Sequence, residues 1–315
     1  MLVRRSTFVV VAMLVGCGSA SKDDAIVAPP PPPSDVPAPE PPPASPTPPP
    51  PPPGPVIATI RIVSGNLSSG ANQSYDPGEG IRIFRALAPD VALVQETNFG
   101  DGSDAAVRSF VDQAFGTSYD VHRETGASIP NAVVTRFPIL AKGTWVDPGA
   151  TGTRSFVWAR IDLPGTREIL AVSVHLKSSN KDAATRATEA QALADAIRAQ
   201  ATPGDALVIG GDLNTEDTGE TCLATLSAIV DTSAPYPADS LGNSFTNQPR
   251  NAHYDWVLVD PMLRKSEVAP TLAGTTFPTG AVFDTRILTV APALGGDSAA
   301  VGMQHMAVAR DFALH

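Results

Sequence analysis

Acidic, amide and imidazole side chains stand at the ends of short apolar runs in this sequence. Glu96 comes directly after VALVQ, and His175 ends the run ILAVSVH. Asp212 and Asn214 follow an apolar run that ends in two glycines, which let backbone approach closely. Residues i and i+2 of an extended segment face the same side, so these two side chains are expected to converge. Carboxylates in such positions suit the binding of a hard cation or the acceptance of a proton from water.

Three more polar residues extend this set. Asn66 follows the first predicted strand, and Asp255 leads into the apolar run Trp256–Val259. A carboxylate that enters a buried strand needs a partner, because an unpaired buried charge is costly. His305, just ahead of the last predicted strand, is the candidate for that partner.

Several of these residues also have a structural explanation when they are taken alone. Glu96 can be a helix cap or a surface-turn acid, and His175 can be an ordinary core histidine. Asp212, Leu213 and Asn214 can form an Asx turn with no catalytic role. The residues themselves leave these alternatives open.

Strands and helices that interleave along the chain must position this set. Apolar residues at helical spacing predict a long helix that a capping box at residues 179–182 opens. Only turn signals separate several of the strands, which favours mixed sheets over a purely parallel sheet. The predicted strands are 57–64, 91–95, 131–135, 156–161, 169–174, 206–209, 256–259 and 306–312, and the predicted helices are 78–87 and a segment with Ala183, Ala187, Ala190, Leu193, Ala194 and Ile197 on one face.

Composition restricts the class of protein. The chain has 315 residues, 43% of them hydrophobic, and a formal net charge of −10. This charge argues against a dedicated binder of duplex DNA, which neutralises phosphates with clustered Lys and Arg. Nucleic acid stays a possible partner that the charge does not favour, and an enzyme that meets phosphate through a metal ion is compatible. Two cysteines are too few for a disulfide framework, and nothing in the sequence indicates an oligomeric state.

The N-terminal residues resemble the signal of a bacterial lipoprotein. Arg4 and Arg5 precede the short apolar run 8–15, which is too short to anchor the chain across a bilayer. The run ends in Leu-Val-Gly-Cys, which resembles a lipobox with Cys17 as the lipidated residue. This resemblance implies a signal peptide at residues 1–16 and a lipid anchor in the bacterial cell envelope. Gly and Ser after the cysteine favour the outer membrane. An ordinary secretory signal with an incidental cysteine is the alternative.

A proline-rich linker is predicted at residues 17–55. Of the 32 prolines, 18 lie between Pro29 and Pro55. Such a segment favours extended polyproline II and suits a spacer that holds a domain away from a membrane. An SH3-type ligand is the alternative. Residues 56–315 are then one domain of catalytic size.

Seven stretches of this domain resemble one superfamily. They are RIVSGNLSSG, VALVQET, PNAVVTRFPI, VSVHLKSS, VIGGDLNTED, HYDWVLVD and QHMAVARDF, in this order from Arg61 to Phe312. Together they resemble the endonuclease/exonuclease/phosphatase superfamily of DNase I-like metallophosphoesterases. The resemblance implies an α/β fold, a four-layer α/β/β/α sandwich in which two mixed β-sheets pack face to face and are flanked by helices. It also implies a phosphoester substrate.

The same resemblance assigns a role to each matching residue. Glu96 is implied as the main ligand of a catalytic Mg²⁺ or Mn²⁺, with Asn66 beside it. Asp212 is implied to orient and help deprotonate the attacking water. Asn214 and His175 are implied to donate hydrogen bonds to the phosphoryl oxygens in the transition state.

Five other residues are candidates for positions in or near the site. Asp255 is implied to pair with His305 and to favour its protonated form. Asn131 and Arg136 match a family segment close to the phosphate. His253 is a candidate to line the site, although it departs from the basic residue often found there.

Two departures from the family pattern concern charge near the metal. The family usually has Asp directly before its last histidine, where this chain has Gln304. Asp297 is a candidate replacement from a neighbouring loop. Many nucleases of the family carry an acid two residues after the first asparagine, where this chain has Ser68. Cys222 is most simply a buried free thiol.

Three functional hypotheses follow. The first is a metal-dependent phosphoesterase anchored at the bacterial envelope. The second is a non-catalytic descendant that binds a phosphorylated ligand or a partner in the old cleft. The third is a true extracellular endonuclease.

Overall fold

Two large sheets with helices on their outer faces, and a separate two-stranded sheet, form the part of the chain that the structure describes. The structure, a computed structural model, describes residues 54–68, 78–165 and 167–315. The predicted signal peptide, Cys17 and the linker up to residue 53 lie outside the described residues.

Fourteen strands and five α-helices occur in these ranges. The strands are β1 (Ala58–Asn66), β2 (Val91–Gln95), β3 (Asp120–Arg123), β4 (Ala132–Thr135), β5 (Ile139–Trp145), β6 (Phe156–Asp162), β7 (Glu168–His175), β8 (Ala206–Asp212), β9 (Asp255–Val259), β10 (Glu267–Val268), β11 (Thr271–Leu272), β12 (Thr275–Thr276), β13 (Ala281–Phe283) and β14 (Ala307–Leu314). The helices are α1 (Glu79–Leu87), α2 (Asp104–Ala114), α3 (Ala183–Gln200), α4 (Thr221–Leu226) and α5 (Pro261–Lys265).

The first sheet has the strand order β10-β14-β1-β2-β4-β3, with β13 also paired to β14. Its central pair, β1 and β2, is parallel, and the other pairs are antiparallel. The second sheet has the order β5-β6-β7-β8-β9, in which only β7 and β8 are parallel. Both sheets are therefore mixed, as the short connections in the sequence predicted.

The two sheets pack face to face over a core of aliphatic side chains. Ile62 and Leu93 of the first sheet and Val157 and Val208 of the second belong to one buried cluster. A second cluster joins the outer face of the first sheet to α1 and α2, and a third joins the outer face of the second sheet to α3 and α4. The chain thus forms the four-layer α/β/β/α sandwich, and this prediction is confirmed.

Two glycines in β8 permit the close approach that the sequence suggested. A Cβ on Gly210 would lie 2.3 Å from Cδ1 of Leu93 in the facing sheet. A Cβ on Gly211 would lie 1.9 Å from the carbonyl oxygen of Val174 in the neighbouring strand. The end of β8 that carries Asp212 is therefore packed tightly against both sheets.

The start of α3 differs from the predicted capping box. Ser179 accepts from the backbone N–H of Lys181 at 3.3 Å and begins a short 3₁₀ turn, and α3 itself starts at Ala183. The buried face of α3 includes Arg186 and Glu189 as well as the predicted Ala190, Leu193, Ala194 and Ile197, whereas Ala183 and Ala187 are only half-buried. Within the described ranges, no helix is long and apolar enough to cross a membrane.

Candidate active site

Strand register places the catalytic candidates at one end of the two sheets. In the second sheet His175 pairs with Asp212 across β7 and β8, and Asp212 pairs with Asp255 across β8 and β9. In the first sheet Asn66 pairs with Gln95, so the neighbouring Glu96 lies at the same end. His305 stands two residues before β14, whose N-terminal end pairs with the C-terminal end of β1. The two sheets therefore bring their polar ends together.

Asp212 is at the centre of this group. Its side chain is buried, and its Oδ2 accepts from Nδ2 of Asn66 at 3.0 Å. Nε2 of His175 lies 3.3 Å from the same oxygen, and Nε2 of His305 lies 3.7 Å from it. Burial raises the pKa of Asp212 to about 7, although the His305 charge opposes the shift. A carboxylate with a pKa near neutrality suits a general base.

The Asx turn considered from the sequence is also present. Oδ1 of Asp212 accepts from the backbone N–H of Asn214 at 2.9 Å. Nδ2 of Asn214 donates to the carbonyl of Leu176 at 3.0 Å. The turn occupies one carboxylate oxygen of Asp212 and leaves the other for the site, so the structural and the catalytic interpretations are compatible.

Asp255 and His305 form the predicted pair. Oδ2 of Asp255 lies 3.0 Å from Nδ1 of His305, and both side chains are buried. Burial alone would lower the pKa of His305, but the carboxylates of Asp255 and Asp212 raise it to about 9. The imidazole is therefore held as a cation at neutral pH. Asp255 is itself held in place, because its backbone N–H donates to Oγ1 of Thr246 at 2.7 Å.

His175 is held in the neutral form. Burial lowers its pKa well below the usual value, and the nearby charges of Arg154 and His305 act in the same direction. Its Nδ1 is buried and has no partner among the described residues. A neutral imidazole has one N–H, so His175 can donate toward Asp212 or toward a ligand, but not to both at once.

Glu96 and Asp212 form a corner of carboxylate oxygens around the amide nitrogen of Asn66. Nδ2 of Asn66 donates to Oε1 of Glu96 at 3.2 Å as well as to Asp212. Two carboxylates that contact one amide nitrogen lie close together and form the type of donor set that Mg²⁺ or Mn²⁺ prefers. The residues therefore fit a hard divalent cation. The amide oxygen of Asn66 instead accepts from the backbone N–H of Ser68 at 2.7 Å, so Asn66 links the acids as a donor.

A second group of potential metal ligands overlaps the site. Single ligand atoms of Asp212, Asp255 and His305 all lie within 4.8 Å of one another. A cation bound by Nδ1 of His305 would have to break its contact with Asp255. We therefore favour the corner at Glu96 for a cation.

Comparison with known proteins identifies the fold family. The Endonuclease/Exonuclease/phosphatase family matches residues 73–276. This chain belongs to that family. The curated proteins contained no sequence match.

Solved structures of the endonuclease/exonuclease/phosphatase fold resemble the chain at low sequence identity. A family protein from Leptotrichia buccalis is 16% identical, with a TM-score of 0.55 over 81% of this chain and 100% of its own. Beta toxin 275-280 from Staphylococcus aureus is 15% identical, with a TM-score of 0.54 over 81% of this chain and 100% of its own. A humanized D. rerio TDP2 is 16% identical, with a TM-score of 0.53 over 81% and 99%. At these identities the likeness establishes the fold.

The two departures from the family pattern lie beside each other. The backbone N–H of Gln304 donates to Oγ of Ser68 at 3.2 Å. The backbone N–H of Ser68 in turn donates to Asn66. The two positions at which the sequence departs from the family pattern are therefore neighbours, and both are neutral here.

Asn131 lies at the site end of the first sheet, but Arg136 does not. Asn131 directly precedes β4, whose first residue pairs with Val94 near the end of β2. Arg136 follows the other end of β4, where Thr135 pairs with Val91, and it forms an ion pair with Asp90. The prediction that Arg136 lies near the phosphate is wrong, because β4 runs antiparallel to β2 and carries its C-terminal end away from the site.

Asn131 is a buried structural amide with one unused atom. Its Nδ2 donates to the carbonyl of Ser155 at 2.7 Å, and its backbone N–H donates to Glu124 at 2.8 Å. Its Oδ1 is buried without a described partner. Any contact with phosphate remains a prediction.

Asp297 does not replace the missing family acid. Its two oxygens accept from Nε and Nη2 of Arg82 at 3.0 and 2.6 Å, so it binds α1 to the loop before β14. His253 is placed in an aromatic cluster with Phe245, Tyr236 and Trp256.

Cys222 is a buried free thiol, as predicted. Burial raises its pKa to about 12, which makes it a poor nucleophile.

Sequence reasoning missed Arg154 and the loop around Thr246. Arg154 is buried, and its Nε and Nη2 donate to the carbonyls of His175 and Leu176, the latter at 2.8 Å. Thr246 contacts Asp255, and its carbonyl accepts from the backbone N–H of Met306 at 2.6 Å. A lone basic residue before a predicted strand was the available signal for Arg154, whereas nothing in the sequence marked Thr246.

Proposed function

We propose that this protein is a divalent-metal-dependent phosphoesterase that hydrolyses a phosphodiester or a phosphomonoester with a metal-activated water. Endonucleases, exonucleases and phosphatases all hydrolyse phosphate esters, and membership of this family supports a hydrolase of that class. The observation that carries the proposal is buried Asp212, whose Oδ2 contacts Asn66, His175 and His305.

Glu96 would hold the cation, and Asn66 keeps its carboxylate beside that of Asp212, which is left to act on water. A bound divalent cation polarises the phosphoryl oxygen and lowers the pKa of a bound water. Ser68 and Gln304 lie beside this corner and add no negative charge to it.

Asp212 is the proposed proton acceptor for water. Its pKa of about 7 lets it take a proton at neutral pH and release it afterwards. Asn214 and Asn66 hold its two oxygens, so the carboxylate needs no rearrangement when it acts.

His305 is the proposed cationic donor to the phosphate oxygens. Asp255 binds its Nδ1, which leaves Nε2–H directed to the side of Asp212. A preorganised cation in a buried site stabilises charge that develops in the transition state.

The net charge of −10 favours small phosphodiesters or lipid-like esters over long nucleic acids as substrates. We further propose that the protein is a lipoprotein of the bacterial envelope, in the outer membrane, held by the lipid on Cys17.

Turnover on a substrate panel tests the proposal. The full chain, purified in detergent, is incubated with bis-p-nitrophenyl phosphate, phospholipid vesicles, RNA and plasmid DNA, before and after EDTA and again with Mg²⁺ or Mn²⁺. We expect turnover that EDTA abolishes and the cation restores, and loss of that turnover in Asp212→Asn. Cleavage of plasmid DNA alone would identify an endonuclease. No turnover on any substrate, together with saturable phosphate binding, would indicate a non-catalytic descendant.

A further inference from the structure

A buried pair of acids lies outside the site. Asp147 is in the loop between β5 and β6, and Glu189 is on α3; their side chains are 1% and 0% exposed. The two carboxyl groups contact each other. Oδ1 of Asp147 accepts from the backbone N–H of Gly149 at 2.9 Å, and Oε2 of Glu189 accepts from that of Lys177 at 2.8 Å. The remaining oxygens, Oδ2 of Asp147 and Oε1 of Glu189, are buried, and no described residue donates to either.

Two ionised carboxylates in contact inside the protein would strongly destabilise the fold. Like charges without water repel strongly, and each carboxylate lacks a donor for one oxygen. One proton between the two oxygens removes the repulsion and satisfies both of them. Burial raises the pKa of both groups, that of Glu189 to about 7.

The charges around the pair do not cancel two carboxylates. Arg154 is the cation that acts on both acids and lowers the pKa of each. The charge of Arg154 also lowers the pKa of buried Glu124, so three acids share one positive charge. Lys177 contributes its backbone N–H to Glu189. One guanidinium cannot neutralise three buried carboxylates, so the pair still needs a proton.

The pair and Arg154 hold the segment that carries His175. Arg154 ends the loop that contains Asp147 and donates to the carbonyls of His175 and Leu176. Glu189 binds Lys177, two residues after His175. A Cβ on Gly149 would lie 2.1 Å from Oε1 of Glu189, so the loop backbone rests directly on this carboxyl group.

We propose that Asp147 and Glu189 share one proton and that this pair, with Arg154, positions His175 by holding residues 175–177. The effect on catalysis rests on the proposed function of His175, whereas the shared proton does not. Loss of the proton makes both acids negative, and their repulsion then loosens the loop and the His175 segment.

The sign of the pH effect follows from the raised pKa. The folded protein keeps a proton on Glu189 that the unfolded chain releases near pH 4.5. The contribution of Glu189 to the free energy of unfolding is therefore largest below about pH 4.5. It decreases as the pH rises to about 7 and stays constant above that pH. Glu189→Gln removes this dependence, because its amide can donate to Asp147 and its carbonyl can still accept from Lys177.

Thermal unfolding of the full chain at pH 5.5 and 8.5 tests the shared proton without any need for activity. We expect the Tm of the wild type to fall by about 3 °C more than that of Glu189→Gln over this interval. Glu189→Ala should be less stable at both pH values. Asp195→Asn, an exposed acid on the same helix, is the matched control and should follow the wild type.

Parallel Tm curves for the wild type and Glu189→Gln would overturn the shared proton. A rise in the wild-type Tm on addition of Ca²⁺ or Mg²⁺ at pH 8.5, absent in Glu189→Gln, would overturn it in favour of a cation site.

The positioning role has its own measurement. The kcat of the wild type should fall by about tenfold relative to Glu189→Gln as the pH rises from 6 to 8.5, with KM little changed. If the wild type and Glu189→Gln had the same dependence of kcat on pH but different dependences of Tm on pH, the positioning role would be wrong and the shared proton would stand. No turnover in any variant, with divergent Tm curves, would instead count against the proposed function.

Discussion

At the site, one amide nitrogen links two carboxylates that come from different sheets. Nδ2 of Asn66 donates to Glu96 of the first sheet and to Asp212 of the second. The link keeps two acids close that would otherwise repel each other, and a divalent cation can exploit this arrangement. Single-atom changes at this corner should therefore alter cation binding while the fold stays intact.

Replacing Glu96 by Gln should abolish metal-dependent turnover. The change removes a negative charge without a change of size, so we expect kcat/KM to fall by about 100-fold or more and Tm to change little. Steady-state assays at limiting Mg²⁺ and thermal unfolding measure the two effects. Glu168→Gln, at the opposite end of β7, is the control. Near-wild-type turnover of Glu96→Gln at limiting Mg²⁺ would show that Glu96 is not the ligand.

Replacing Gln304 by Asp should tighten the cation. Gln304 is one hydrogen-bonded step from Ser68, which contacts Asn66, and Asp297 is occupied by Arg82. A new charge nearby is worth on the order of 1 kcal/mol, or about fivefold less Mg²⁺ at half-maximal activity. Magnesium titrations of the wild type, Gln304→Asp and the neutral control Gln304→Asn measure this.

The same variant should shift the pH profile. The new carboxylate should raise the pKa of His305 above its value of about 9. The imidazolium is lost as the pH rises through that pKa, so the loss of activity should move to higher pH. Unchanged or weaker Mg²⁺ affinity of Gln304→Asp would contradict the hypothesis that Gln304 stands in place of a metal ligand.

At the scale of elements, β8 is the strand that links the two layers of the site. It pairs with β7 and β9, it faces β1 and β2 of the other sheet, and its end carries Asp212. Glycines at its last two positions before Asp212 allow this packing. The position of Asp212, the proposed general base, therefore depends on the absence of side chains at these two glycines.

Replacing Gly211 by Ala should destabilise the fold and displace Asp212. The new Cβ would lie 1.9 Å from a backbone carbonyl of β7, which cannot rotate away. We expect a loss of at least about 2 kcal/mol in the free energy of unfolding. Urea unfolding measures it, with Gly296→Ala as the control because nothing lies within 4 Å of that Cβ. Equal stability of the two variants would contradict the packing described for β8.

At the scale of the whole molecule, the chain enters the domain at the end opposite to the site. The backbone N–H of Ile57 donates to the carbonyl of Leu314 at 2.9 Å, at the start of β1, whereas Asn66 ends that strand. Nine residues of strand span about 30 Å. The first described residues of the domain therefore lie about 30 Å from the site end of β1.

Replacing Cys17 by Ser should release the protein from the membrane. The thiol is the group that a lipobox offers for acylation, and stable anchoring needs acyl chains on it. Fractionation of cells with carbonate washing measures the effect, and Cys222→Ala, which changes the buried thiol, should stay with the membrane. Carbonate-resistant membrane association of Cys17→Ser would argue against lipid anchoring.

The sequence by itself determined which polar residues stand at the ends of buried strands and the mixed character of the sheets. Local signals carry this information: an apolar run marks a buried strand, and the polar residue at its end marks the strand mouth, as for Glu96 and Asp212. The sequence also predicted the pairing of Asp255 with His305, which the structure has at 3.0 Å.

Only the tertiary structure decided which residues meet across long stretches of chain. Arg136 matches a family segment, yet the antiparallel direction of β4 takes it to the far end of the sheet. Asp147 and Glu189 are 42 residues apart, and no local pattern predicts that they share a buried contact. Such contacts depend on strand order, strand direction and packing between layers, which long-range pairing sets, whereas local sequence sets the elements and their ends.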